Sequence, residues 1–438
     1  MEIWLIEPHD PLIVRDGKPF GPNSGARATT LSFPFPSTTT GGIRSRAGMN
    51  NDGVFELPSE ETKRKEKIKN LKKLTVRGPL LVQLSEDGNG ITVNEWLVPA
   101  PADALLFETK LLPDKKSSSD KEGLIRQLIP RKTQQFANGA ETDFDSKGEV
   151  ALMLVGLPEN EDNLGKPHKK PPLYWYWNIF ENWLLDPSRY DGGEVALSRL
   201  GHKGPEREHR LHVSIDAERR AAKEGALFET SGLEFTHASK GQQCLSEAQR
   251  LALAIIVGED KDTQSTIRGG TTGFAGERRI VSWRKSNSKL LTCNQDIKEA
   301  IKTQKACRLF LLTPAYFKEG YRPRWLLQTQ HGVQPKLEAI AIQRPQVVSG
   351  WDFEMRKPKP TRRLAPAGTV LFLTLEGTSE AIETWVDNIW MHCVSDDEDN
   401  KGNSDNPEQY RNDGFGLAVL GIWPTEAEEI QEEEGEES

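Results

Sequence analysis

Three short stretches carry residue types suited to chemistry on phosphate. In RGGTTGFAGERR, Arg268 to Arg279, four glycines (Gly269, Gly270, Gly273, Gly276) stand among three arginines. Glycine lets a backbone approach a ligand closely, and arginine forks fit phosphate oxygens. Arg268, Gly269, Gly270, Arg278 and Arg279 are therefore candidates for contact with an RNA backbone, a plain glycine-rich loop being the alternative. The spacing matches neither the GxxxxGK[ST] of a P-loop nor a GxGxxG after a strand, so the usual signature of NTP hydrolysis is missing. In SFPFPSTTTGGIRSRAG, Ser32 to Gly48, Pro34 and Pro36 hold their predecessors extended. Ser37 to Thr40 offer N-cap oxygens to a helix running through Ile43, Ala47 and Met49. Unpaired N–H groups and partial positive charge at that helix start suit a phosphate, with Ser37, Thr38, Gly42, Arg44 and Arg46 as its surroundings. A proline-bounded turn whose arginines face water is the competing reading.

The third stretch places His209 and His212 around Arg210. A histidine there suits general acid–base cleavage of RNA, but no second catalytic partner is identifiable, and a basic solvated strand has the same composition. Arg210 and His212 are kept as RNA-contact candidates. The HxxH spacing lacks a cysteine pair or carboxylate to complete a zinc set, and no Ser-His-Asp or Cys-His arrangement is assignable. No catalytic residue, metal or cofactor is expected. Gly414 and Gly416, in DGFGLAVLGIW, suit either RNA contact or a tight turn before a strand. The four aromatics Tyr174 to Trp177 suit either base stacking or a core.

Elements must position these residues. Met1 to Ile6 reads as a strand, followed by turns at Pro8, Pro11, Gly17, Pro19 and Gly21. The run EETKRKEKIKNLKK, Glu60 to Lys73, has weak helical spacing and reads as a solvated face. Strands are predicted at Leu74–Leu84 and Ile91–Leu97, then at Arg308–Thr313, Leu337–Gln343 and Thr369–Leu375, with a last one at the C-terminal end of DGFGLAVLGIW. Helices are predicted at Ser246–Val257 and Ser379–Met391. REHRLHVSIDAERRAAKEGALFETSGLEF reads as a hairpin crossing open space, a thumb. Polar insertions fall near DKKSSSDKEG, at 159–170 and at 395–409. The pattern fits an α+β fold, two ferredoxin-like (RRM-like) domains in tandem with polar insertions and a β-hairpin thumb. The expected division is 1–240, 241–424 and a disordered acidic tail at 425–438.

The 438 residues suffice for two or three domains and a sizeable core. No apolar run is long enough to span a bilayer, and the start lacks the basic lead and cleavage site of a signal peptide, so a soluble cytoplasmic protein is expected. Cys244, Cys293, Cys307 and Cys393 are widely spaced and read as reduced, buried thiols. The net charge of −8 resides in the tail: eight of the 65 acidic residues follow Thr425, and the remaining 57 match the 57 lysines and arginines. A neutral body can still carry local basic patches.

Several segments in order resemble one family: LIEPHDPLIVRDGKPFG, FPFPSTTTGGIRSRAG, VPAPADALLF, HRLHVSID with EGALFET, CRLFLLTPAYF, VVSGWD and LAPAGTVLFL. The set, spread from Leu5 to Trp423, resembles the third RAMP-superfamily subunit of the Cmr complex, the type III-B CRISPR effector. The resemblance implies paired ferredoxin-like folds and a non-catalytic, architectural role in antiviral defence. It implies binding of the guide crRNA by its 5′ tag, with Ser37, Arg44 and Arg46 at the matching polar positions. The implied partners are the large polymerase-like subunit and the backbone RAMP subunit, with target RNA contacted indirectly. The chain departs from the pattern at Thr38, Thr39 and Thr40, where many members are apolar, and in its insertions, acidic tail and TTGFA spacing. The alternative is a RAMP-type endoribonuclease processing precursor crRNA, with His209 or His212 as general base.

Overall fold

The computed structural model describes residues 1–15, 27–28, 30–50, 52–87, 90–109, 122–131, 152–157, 165–190, 192–237, 248–258, 267–352, 357–397 and 409–423. The acidic tail and Cys244 lie outside these residues, as do most of the polar insertions near DKKSSSDKEG and at 395–409 and half of the one at 159–170.

In chain order the first half contributes β1 (Glu2–Pro8), α1 (Pro36–Ala47), α2 (Glu61–Lys73), β2 (Val76–Asp87), β3 (Gly90–Pro99), β4 (Tyr174–Tyr176), α3 (Trp177–Leu185), β5 (Glu206–Asp216), β6 (Ala221–Glu234), β7 (Gln249–Val257), β8 (Gly270–Phe274) and β9 (Arg279–Ser286). The second half contributes α4 (Gln295–Gln304), β10 (Ala306–Leu311), β11 (Gln334–Ala341), β12 (Val370–Glu376), α5 (Ser379–Ile389), β13 (His392–Cys393) and β14 (Leu417–Ile422). The larger antiparallel sheet runs β4-β3-β2-β7-β1-β9-β8, with short additions at Gly201–His202 and Thr236–His237. The second runs β11-β12-β10-β14-β13. Strands dominate a mixed α and β fold.

One expectation is corrected. Within the segment expected to be helical from Ser246 to Val257, Gln249–Val257 is strand β7, hydrogen-bonded to β1 and β2. Its LALAIIV run is buried on both faces: Ala252, Ala254 and Ile256 join one core, and Leu251, Leu253, Ile255 and Val257 the other. A short continuous apolar run does not distinguish such a strand from a buried helix. Strands β7, β8 and β9 complete the first sheet and carry it to Ser286.

The main core lies between the sheets. Phe180, Trp183 and Leu184 of α3 and Ile297 and Ile301 of α4 pack with inward residues of both. Within it the carboxylate of Asp103 meets the guanidinium of Arg308 at 2.7 Å, both side chains fully buried. Trp183 Nε1 donates to Asp103 Oδ1 at 3.0 Å, and Arg308 Nη2 donates to the Trp183 carbonyl at 2.6 Å. The VPAPAD segment is thereby locked to the second sheet. On the other face of the large sheet, Trp4, Ile6, Leu253 and Ile255 pack against Leu12, Val14, Phe274, Trp283 and Ile43 of α1. Cys293, Cys307 and Cys393 are free, and burial pushes the Cys293 and Cys393 thiols up to about 12, which makes them inert.

Candidate nucleic-acid interface

The glycine-rich segment forms an edge. Strand β8 is the last of the large sheet and pairs only with β9, from Gly270 opposite Trp283 to Phe274 opposite Arg279. Gly269 and Gly270 are exposed, and Gly270, at φ +124°, has open space where a side chain would stand. That is a backbone able to meet a ligand at close range. The following turn is left-handed at Ala275, Glu277 and Arg278, and Gly276 N donates to the Ile13 carbonyl at 2.8 Å. Arg278 therefore sits in a turn, exposed, with no partner among the described residues. Arg279 opens β9, partly buried, with its guanidinium 3.0 Å from Glu277. The two arginines differ in environment because Arg278 is in the turn and Arg279 opens the strand.

Helix α1 props this edge from beneath. Its start is corrected: Phe35 is the N-cap, Pro36 is the first helical residue, and no side chain caps the helix. Thr39 Oγ1 donates to the Pro36 carbonyl at 3.0 Å and Thr40 Oγ1 to the Asp413 carbonyl at 2.7 Å, so these hydroxyls serve the protein backbone. Ser37 is exposed and Thr38 half-buried at the helix start. Gly42 packs under the sheet, where an added Cβ would meet Phe274 at 2.7 Å and Trp283 at 2.9 Å. Arg46 is buried; its Nε donates to the Arg268 carbonyl at 2.9 Å, its Nη2 to the Gly269 carbonyl at 3.1 Å, and it lies over the Trp283 ring at 5.4 Å. Arg44 is 2.6 Å from Asp413 and also donates to the Lys72 and Leu74 carbonyls. Both arginines thus bond protein acceptors, with Arg44 Nε buried and without a partner among the described residues, and it is Arg46 that positions the edge itself.

Gly414 and Gly416 are likewise corrected. Both are buried at positive φ, with an added Cβ at Gly414 meeting the Gly78 carbonyl at 2.7 Å and one at Gly416 meeting Ser395 at 2.8 Å. They make the entry into β14 and are covered by protein. The aromatic cluster also belongs to the interior: Trp175 is buried and meets Trp183 edge-on, and Tyr174 packs on Phe33 at 5.5 Å.

The hairpin β5–β6 matches the expected thumb, paired from Glu206–Glu234 to Asp216–Ala221 with a bulge after Val213. Its root is zipped to the glycine-rich turn by the PHDPLIV segment: Leu12 pairs with Leu233, and Ile13 with Gly276. On one face His212 stacks on Phe228 at 5.2 Å and 12°, with Arg210 beside it, bonded to Glu208. His212 Nε2 lies 2.8 Å from Thr230 Oγ1, and His209 Nδ1 2.7 Å from Glu229. Both histidines have local partners and stand on opposite faces. No group of three or more metal-binding side chains occurs among the described residues.

A feature missed from the sequence is a cavity of about 720 Å³ between the halves. The FPFP arm, Pro99 to Pro101, Pro171 to Trp175, Thr313 and Gln346 line it. Gln346 Oε1 there is buried with no partner among the described residues. The repeated prolines were its signal, since each holds an extended arm along the wall. Helix α1 begins at this cavity and ends near the glycine-rich edge, about 18 Å on for twelve residues.

The fold and site define a strand-rich protein that presents a glycine-rich, arginine-bearing sheet edge on a helical prop. The profile of the CRISPR-associated protein family Cas_Cmr3 matches residues 4–423, and the chain belongs to that family. No curated protein matches the chain. Among solved structures, it is similar to a chain in the cryo-EM structure of the type III-B Cmr-beta bound to cognate target RNA and AMPPnP, state 1, at 15% identity and TM-score 0.45, over 89% of this chain and 88% of that one. A chain in the structure of Cmr-beta bound to cognate target RNA is 16% identical at TM-score 0.43, over 85% and 86%.

Proposed function

We propose that the chain is a non-catalytic, architectural RNA-binding subunit of a type III-B effector complex. It holds the 5′ tag of the guide crRNA and joins the large polymerase-like subunit to the backbone subunits. The reading rests on family membership and on one observation above all: the exposed Gly269–Gly270 edge with Arg278, unpartnered among the described residues, held from below by Arg46 and Gly42. Ser37, Thr38, Arg210, His212, Arg268, Gly269, Gly270 and Arg278 form the contact set. Gly42, Arg44, Arg46, Arg279, Gly414 and Gly416 support it from within. Unpaired tag nucleotides enter the cavity at the start of α1, where Gln346 Oε1 accepts a base N–H.

Each half is read as a ferredoxin-like unit, in which the fourth, first, third and second strands lie side by side. The order β9-β1-β7-β2 supports this for the first half and β14-β10-β12-β11 for the second. The first unit keeps the helix of its first crossover, α1, and the second that of its last, α5. The hairpin, β3 and β4 are then one long insertion between the second and third strands of the first unit.

The test is guide affinity at several salt concentrations, with tagged and tag-scrambled RNA. Arg278→Ala is expected to weaken binding and reduce the salt slope by about 0.7, one single-strand phosphate contact. Arg279→Ala is expected to lower the melting temperature and leave the slope alone. An unchanged slope and affinity in Arg278→Ala would remove the edge from the site. Incubation with a repeat-containing transcript is expected to give no product; specific cleavage lost in His209→Ala or His212→Ala would replace this reading with the endoribonuclease.

A further inference from the structure

We infer that helix α2 is a second, sequence-independent RNA site, a phosphate-backbone rail beside the glycine-rich edge; the inference rests on the RNA-binding reading above. Its thirteen residues carry seven basic and two acidic side chains, and none of them is buried. Packing does not explain this composition: only Ile68 and Leu71 have apolar side chains, both half-buried, and Leu71 lies against Gly48. Lys65, Lys69 and Lys73 stand four apart and Lys72 three beyond Lys69, so the four form one stripe. Lys65 is paired with Glu61 at 3.1 Å. Lys69, Lys72 and Lys73 have no ion pair among the described residues. Like charges at this spacing repel each other by a few tenths of a kcal/mol per pair, and a bound polyanion relieves that.

Placement points to RNA. Arg44 Nη2 of α1 donates to the Lys72 carbonyl at 3.1 Å and to the Leu74 carbonyl at 3.2 Å, which fixes the C-terminal turn of α2 against α1. Helix α1 in turn carries the Arg46 that holds the edge. Phosphates leaving the edge along α1 would next meet this stripe. Lysines without aromatic or amide neighbours on the stripe bind phosphate as point charges and read no base.

The test uses the full chain with Lys69, Lys72 and Lys73 replaced by Gln, a good helix former, beside a control with Lys289, Lys305 and Lys357 replaced likewise. Binding of uridine 20-mers and of tagged guide is titrated from low to physiological salt. The α2 variant is expected to lose affinity for both RNAs equally, with a salt slope shallower by about 2, the preference for tagged guide and the melting temperature being unchanged. A loss confined to tagged guide, or one no larger than the control's, overturns the proposal. So does a loss that emerges only after deletion of Thr425–Ser438, which would assign the stripe to the acidic tail. If tag preference is absent in the parent chain while the α2 effect persists, the tag reading fails and the rail stands.

Discussion

Arg308 and Asp103 illustrate how far apart in sequence the determinants of one contact lie. Each charge is fully buried; Asp103 and Arg308 bond each other, Trp183 donates to Asp103, and main-chain carbonyls accept from Arg308. Removing one partner strands the other, so Arg308→Ala is expected to cost about 3–5 kcal/mol, while Arg308→Met with Asp103→Leu together should be close to neutral. Urea unfolding of the single and double variants checks this; a single variant costing under about 1 kcal/mol would mean the pair is solvated. Gly42→Ala should also be costly, because its methyl would press into Phe274 and Trp283 and move the edge; about 1–3 kcal/mol is expected from melts. Residue types alone gave no warning of these roles. An arginine on a helix suits a phosphate or a protein carbonyl equally, and the acceptor of Arg46 lies 222 positions away.

The hairpin was legible as an element because basic and apolar residues alternate on both sides of a polar turn, whereas its hinge was not. At its two roots His202 and His237 meet edge-on at 4.8 Å. Gly204 N donates to His202 Nδ1 at 2.9 Å, and His237 Nε2 is buried without a partner among the described residues. Burial first, and His237 next, hold His202 down to about 4, with Gln249 and Glu206 opposing and Lys203 assisting. Because the folded value lies below the unfolded value of about 6.5, the unfolded chain binds the extra proton. The stabilisation is therefore complete above pH 6.5, declines as pH falls toward 4, and is flat below. Melting temperatures across that range are expected to fall in the parent and to fall less in His202→Asn, which keeps an acceptor for Gly204. Equal slopes in both would exonerate the pair. Helix α5 lies where its spacing predicted a helix, whereas α4 went unpredicted although its start, too, carries a capping side chain, Asn294, as Thr378 does for α5. Strand β7 was not legible, because burial on both faces erases the period that separates strand from helix.

For the whole molecule, chain order misleads about neighbourhood. The first sheet is completed by strands that follow the hairpin, and the motifs at Pro8–Val14, Phe33–Gly48 and Arg268–Trp283 become one assembly only in three dimensions. The sequence motifs were visible singly; their joint purpose, a propped and exposed edge beside a proline-lined cavity, required the fold. The edge is proposed to meet the guide. Ultraviolet crosslinking of the chain within its reconstituted effector complex, followed by peptide mapping, tests it most directly. Crosslinks to the 5′ tag are expected within 268–279 and at the start of α1, and those at 268–279 should weaken in Arg278→Ala; tag crosslinks found on other subunits alone, with this edge unmarked, would contradict it.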